Sequence, residues 1–275
     1  MPIFRKDPCG IICMIITYGA VFYADYVVIR WIIMTSFYDS LWGCFHLVAF
    51  NIVVAFLTAA HMRAVLSDPG IVPLSPTKID FSDHNTKTLK ERNSELEGEA
   101  GAWTICSRCE AFRPPRAHHC RICNRCIRRM DHHCPWINNC VGEWNQKYFM
   151  QFLIYVGILC LYASALVVYS WVTVDCPFCP QDTLIKQTRV LHSVILMLES
   201  LLFGMFVMAI MIDQLSAVFS DETAVEHVKK LGRHRPRKPR MTLLSEICGR
   251  GPVLLWVLPC HSAPLGIEQV NNYHV

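Results

Sequence analysis

Charge is scarce in this chain. Asp, Glu, Lys and Arg make up 17% of its residues, where soluble globular domains run nearer a quarter, so an ordinary soluble domain is excluded. The 53% hydrophobic share is concentrated in four long apolar stretches, 10–33, 42–65, 149–174 and 190–219. Each is long enough to cross a hydrocarbon core of about 30 Å, which takes about 20 helical residues. No small-residue cleavage site follows the first stretch, and its apolar run is too long for a signal peptide. The expected fold class is an all-α polytopic membrane protein with four transmembrane helices. A cysteine-rich module is expected between the second and third.

Basic residues are missing from the loop 34–41, whereas the segment 66–148 carries twelve and the tail after 219 carries eight. Arg5 and Lys6 precede the first stretch, and Lys186 and Arg189 fall in the loop 175–189. Basic residues near span ends belong on the cytosolic side, which places both termini and the cysteine-rich segment in the cytosol. The net charge of +4 is accounted for by these flanks and does not argue for nucleic acid. The expected organisation is a cytosolic N-terminus over 1–9, a transmembrane hairpin over 10–65, a cytosolic linker over 66–102 and the cysteine-rich module over 103–148. Spans three and four follow over 149–219, and then a cytosolic tail over 220–275.

Ser67-Asp68-Pro69-Gly70 stops the second helix, since proline removes a donor and glycine permits a sharp exit. Residues 77–100 are polar and charged with few large apolar groups, and read as a linker with a short helix over 86–97. Ionisable residues inside the spans are functional suspects by default. Asp25 and Glu199 sit deep, and an inter-helix hydrogen bond is the favoured account of both.

Between Cys106 and Cys140 the pattern C-x2-C-x9-H-x6-C is written twice, the second copy offset by fourteen residues. Cys106, Cys109, His119 and Cys126 form one set; Cys120, Cys123, His133 and Cys140 form the other. Three thiols and one imidazole fill a tetrahedral zinc site and leave no open position, so both metals are structural. On the reducing side of a membrane a C-x2-C cluster is metal-binding rather than disulfide-bonded. With so few apolar residues, the module depends on the metal to fold. A third copy starts at Cys134 but lacks its second cysteine: Ile137 stands there. Cys134 is therefore outside both sets, as a reactive thiol, a fifth ligand or a buried spacer. His132, with Asp131 before it, is spare as well. An imidazole held by a carboxylate can take a thiol proton, the logic of activated Cys-His pairs. His118 reads as structural. Cys176 and Cys179, in the lumenal loop, are either disulfide-bonded or free. Cys9 and Cys13, at the cytosolic mouth of the first span, carry acyl chains themselves or merely pack.

Asp131-His132-His133-Cys134 within this frame resembles the signature of the DHHC family of membrane protein S-acyltransferases, the palmitoyltransferases. The likeness runs on through Pro135-Trp136-Ile137-Asn138-Asn139-Cys140-Val141-Gly142 and Asn145 to Phe149, and extends to the order of the spans. Asp68-Pro69-Gly70 matches the family's DPG motif. Thr223-Ala224-Val225-Glu226 is similar to its TTxE motif, with alanine for the second threonine; the C-terminal asparagine-aromatic motif is not clear. The resemblance implies Cys134 as acyl carrier, His132 as base and Asp131 as its orienting carboxylate. It also implies palmitoyl-CoA or another long-chain acyl-CoA as co-substrate, two structural Zn2+ in the sets above, and membrane-associated protein substrates with cytosolic cysteines. Its Golgi-resident branch is the most similar, through Asn145-Gln146-Lys147-Tyr148-Phe149 among others. Leu159 is the candidate for the floor of an acyl pocket, and Arg116, Arg128, Arg129 and Lys147 are candidates to meet CoA phosphates.

Three other readings use the same residues. A non-enzymatic membrane adaptor would leave Asp131, His132 and Cys134 idle. A nucleic-acid-binding finger would need the C-x2-C-x12-H-x3-H frame, which this segment lacks. A RING-like ubiquitin ligase has a different ligand order and no use for the stranded thiol.

Overall fold

The computed structural model describes residues 4, 6–37, 39–74, 103–173, 183–232, 235–249 and 251–259. The helix expected over 86–97 and the Cys176–Cys179 pair lie outside the described residues.

Four helices are long and apolar enough to cross a membrane: Pro8–Ser36, Leu41–Leu66, Gln146–Val172 and Thr183–Ser220. A helix satisfies all its backbone polar groups internally, which lipid demands of any spanning segment. The first contains a π-helical stretch at Val28–Ile33. These helices suit a multi-pass membrane protein.

The described chain forms two compact units. One comprises Met14–His61 and Met150–Asp213. Its buried residues include Val27, Ile32, Phe50, Leu57 and Leu196. Because lipid is as apolar as these side chains, polar pairs help fix one helix to another. Tyr18 Oη meets His61 Nδ1 at 2.9 Å, Tyr23 Oη meets His192 Nδ1 at 3.0 Å, and Tyr162 Oη meets His46 Nδ1 at 2.8 Å. Arg189 donates to Ser36 Oγ at 2.9 Å. Asp25 departs from expectation: its Oδ1 is buried with no hydrogen-bond partner among the described residues. Leu159, on the third long helix, is buried in this unit.

The other unit comprises Met1–Cys13, Met62–Phe149 and Gln214–Val275. Its cysteine-rich module is built of β-hairpins rather than helix. Strands β1 (Thr104–Cys106) and β2 (Ala111–Arg113), β3 (His118–Cys120) and β4 (Arg125–Ile127), and β5 (His132–Cys134) and β6 (Asn139–Val141) pair antiparallel in that order. The fourteen-residue repeat is thus a repeat of hairpins. It reappears in the backbone, where Glu110, Asn124 and Asn138 all take positive φ, of 51°, 50° and 46°. A left-handed residue is needed once per turn, and asparagine tolerates that conformation well. Two-stranded hairpins with three-residue strands are not stable alone in water, so the module needs cross-links.

The entry and exit of the module are held by side chains capping backbone. Asp68 Oδ1 accepts from Gly70 N and Ile71 N, both at 2.8 Å, and Arg128 N donates to Gly70 O at 2.8 Å. Asn139 Nδ2 reaches the carbonyls of Ala64, Val65 and Ser67 at 3.2, 3.2 and 3.0 Å. It satisfies orphan acceptors at the end of the second long helix. Gly142 has to be glycine, because a Cβ there would fall 2.4 Å from Pro69 O.

Candidate active site

The eight expected ligands gather into two groups, each with its four ligand atoms within 4.8 Å of one another. Each group straddles two hairpins. Cys106 and Cys109 come from the first and His119 and Cys126 from the second; Cys120 and Cys123 come from the second and His133 and Cys140 from the third. Tetrahedral zinc, with Zn–S about 2.3 Å and Zn–N about 2.0–2.1 Å, sets S···N separations near 3.6 Å and S···S near 3.8 Å. In the first group His119 Nδ1 lies 3.6, 3.2 and 4.0 Å from Cys106, Cys109 and Cys126 Sγ, and Cys126 to Cys109 is 3.8 Å. In the second, His133 Nδ1 lies 3.7, 3.4 and 3.6 Å from Cys120, Cys123 and Cys140. Both groups could hold a metal ion, and the separations and soft donors fit zinc. Ions there would staple the first hairpin to the second and the second to the third.

The third hairpin shows what becomes of the incomplete copy. His133 pairs with Cys140 and Cys134 with Asn139, the register of His119 with Cys126 and Cys120 with Arg125. Where a second cysteine would stand, Pro135–Ile137 forms a 3-10 turn closed by Asn138 N to Pro135 O at 3.0 Å. Proline suits its opening position, having no N–H to leave orphaned. Cys134 is buried and belongs to neither metal group.

Asp131 lies just before β5 and is 1% exposed. Its Oδ2 accepts from His132 Nδ1 at 2.7 Å and from Gln214 Nε2 at 2.8 Å, and its Oδ1 accepts from Ala224 N at 2.7 Å. Burial alone would raise the Asp131 pKa, but the His132 hydrogen bond, the Ala224 N–H and Gln214 outweigh it and hold the carboxyl below its usual range. Burial likewise pulls His132 down. Its bond to Asp131 and its interaction with the Cys134 side chain reverse that and lift it to about 9. With Nδ1 committed to Asp131, Nε2 is left for the thiol. The His132 ring also meets Phe149 edge-on, with centroids 5.4 Å apart.

Gln214 and the 223–226 segment were not assigned to the site from sequence. Ala224–Val228 is a short helix whose N-cap, Thr223, forms a capping box with Glu226. Thr-x-x-Glu is readable as such a box, but that it delivers the Ala224 N–H to Asp131 is a tertiary fact. Glu226 is fully buried and takes Arg116 Nε at 2.7 Å and Nη2 at 2.8 Å. Arg116 also donates to Asp221 Oδ1 at 3.1 Å. Arg235 joins Asp221 to Glu246. Arg116 is thus an internal strut. The other basic residues singled out with it also have partners: Arg128 with Glu143 at 3.0 Å, Arg129 with Asp221 at 3.6 Å and Lys147 with Leu255 O at 3.3 Å.

Residues 99–231 match the model of the DHHC palmitoyltransferase family. Human "Palmitoyltransferase ZDHHC3" is 34% identical over 278 residues, covering 99% of this chain and 88% of the relative. The chain belongs to the DHHC palmitoyltransferase family. Rat "Palmitoyltransferase ZDHHC7" is 34% identical across 93% of this chain and 80% of its own. "Probable protein S-acyltransferase 16" of Arabidopsis thaliana is 39% identical over 153 residues, 56% of this chain and 48% of its own. The DHHC family match takes in the Thr223–Glu226 capping box as well as the hairpins. The tail segment that holds Asp131 therefore lies within the family's region.

Proposed function

We propose that this protein transfers a long-chain acyl group, palmitoyl above all, from acyl-CoA to cysteines of membrane-associated proteins, with Cys134 carrying the group between the two. The observation that supports this most is the Asp131–His132 pair beside a thiol that neither metal group uses. The Cys134 thiolate attacks the thioester carbonyl carbon and the bond to the CoA sulfur breaks. The departing sulfur takes a proton from His132. In the second half the substrate cysteine attacks the Cys134 thioester, His132 accepts its proton, and Cys134 leaves as thiolate. A thioester is exchanged for a thioester, so positioning and proton handling matter more than driving force. Asp131, fixed by Ala224 N–H and Gln214, keeps His132 in the tautomer that presents Nε2.

Zinc in the two Cys3His groups supplies cross-linking only, since all four positions are filled by protein. The test is Cys134→Ser with an alkyne-labelled palmitoyl-CoA: hydroxylamine-sensitive labelling and transfer should vanish, and their survival would end this reading.

Three finer assignments accompany it. Leu159 limits the accepted chain length, so Leu159→Ser should shift the acyl-CoA profile; an unchanged profile rejects the position. The distribution of Lys and Arg supports cytosolic termini. Likeness to the Golgi-resident branch supports a Golgi membrane.

A further inference from the structure

Cys9 and Cys13 stand four residues apart on the first turns of the first long helix, and so on one face. They belong to the same compact unit as Cys134. Between them, Gly10 is pressed against the third hairpin: a Cβ there would fall 2.3 Å from Oδ1 and 2.9 Å from Cβ of Asn138. Asn138 closes the 3-10 turn that Cys134 caps, and the next residue, Asn139, pairs with Cys134 across the hairpin. The approach is fixed at its other end by Asp7, whose Oδ2 accepts from Gly10 N at 3.0 Å. Cys13 follows Gly10 by three residues and so shares its face. Accessibility falls along the series: Cys9 is exposed, Cys13 half-buried and Cys134 buried.

We propose that Cys13, with Cys9 behind it, is a self-acylation site that takes the acyl group from Cys134 within the same chain. This rests on Cys134 being the acyl carrier. The Cys13 sulfur attacks the carbonyl carbon of the Cys134 thioester, the carbon–sulfur bond to Cys134 breaks, and the Cys13 proton ends on the Cys134 sulfur. One thioester replaces another, with no change of oxidation state and no further reactant. A second exchange of the same kind moves the group to Cys9 and frees Cys13. Tethering favours this acceptor over a free thiol, because a group held in the same compact unit acts at an effective concentration of about millimolar or more.

The test uses the full chain in lipid nanodiscs, alkyne-palmitoyl-CoA and tryptic mapping of hydroxylamine-sensitive label. Cys9 and Cys13 fall in the peptide Asp7–Arg30, and Cys134 in Met130–Lys147. Both peptides should carry label in the wild type. In Cys13→Ser the Asp7–Arg30 peptide should lose most of its label while Met130–Lys147 keeps its own. In Cys134→Ser both should be blank. A mixture of Cys134→Ser and Cys13→Ser chains should leave the Asp7–Arg30 peptide of the former unlabelled. Label on Met130–Lys147 alone in the wild type overturns the proposal and leaves Cys134 as carrier. Label on Asp7–Arg30 that persists in Cys134→Ser, or appears in the mixture, overturns transfer within the chain. No label on either peptide overturns the acyl-carrier reading itself.

Discussion

Glu226 joins the tail to Arg116 of the cysteine-rich module, and replacing it with leucine tests that linkage. The side chain is 0% exposed. It takes two hydrogen bonds from Arg116, at 2.7 and 2.8 Å, and one from Thr223 N at 2.8 Å. Removing one partner of a buried ion pair costs about 3–5 kcal/mol, because the other charge is left uncompensated. Arg116 would keep Asp221 at 3.1 Å, which puts the cost at the lower end of that range. Loss of the capping box adds about 1 kcal/mol, and the two overlap because they share one side chain. The expected total is about 3–4 kcal/mol, or a fall in melting temperature of about 6–16 °C for a unit of this size. Tryptophan fluorescence of the detergent-solubilised protein during a thermal ramp measures it. The same substitution frees the turn that aims the Ala224 N–H at Asp131, so the rate of self-acylation should also drop below the melting point. Arg116→Met with Glu226→Leu removes both charges and should recover most of the lost stability. A Glu226→Leu protein that melts within about 2 °C of wild type would refute the reasoning.

Two further outcomes follow from the same contacts. Gln214→Leu removes one of the donors to Asp131 Oδ2. A bond to a charged acceptor is worth about 1.5–3 kcal/mol, so kcat for self-acylation should fall by about tenfold or more with KM for acyl-CoA little changed; a loss confined to KM would contradict a positioning role. For Asp221, burial works against the charged form, but Arg235 and Arg116 prevail and lower its pKa. A carboxylate depressed in the folded state contributes stability that is present above its unfolded pKa of about 3.9 and is lost as pH falls through the folded value. The stability gap between wild type and Asp221→Asn should therefore be flat from neutral pH down to about 4 and close below it; a gap that widens in acid would have the wrong sign.

Much of the site could be read from the chain because its parts are local. The two ligand sets are a spacing pattern, and the stranded thiol is what the pattern leaves over, so Cys134, His132 and Asp131 stand out without coordinates. The four long helices follow from apolar length, which lipid makes decisive. The β-hairpins did not show in the sequence, since three-residue strands rich in Cys, His and Arg carry no alternation of apolar and polar residues. The clamp on Asp131 was equally hidden: Gln214 and Ala224 lie 83 and 93 residues away in sequence, and a backbone N–H has no side-chain signature. Arg116 counts in the sequence as one more basic residue near a membrane. Only its position opposite the buried Glu226 shows it to be a strut.

The central claim is that eight donors hold two metal ions and leave Cys134 to carry the acyl group. Native mass spectrometry of the full chain after brief exposure to palmitoyl-CoA, with peptide mapping of the same sample, tests both halves at once. The account predicts two zinc ions retained in the acylated species, with a thioester on Met130–Lys147 that Cys134→Ser abolishes while keeping both metals. Loss of a zinc ion on acylation, or in Cys134→Ser, would place that sulfur among the ligands and contradict the account.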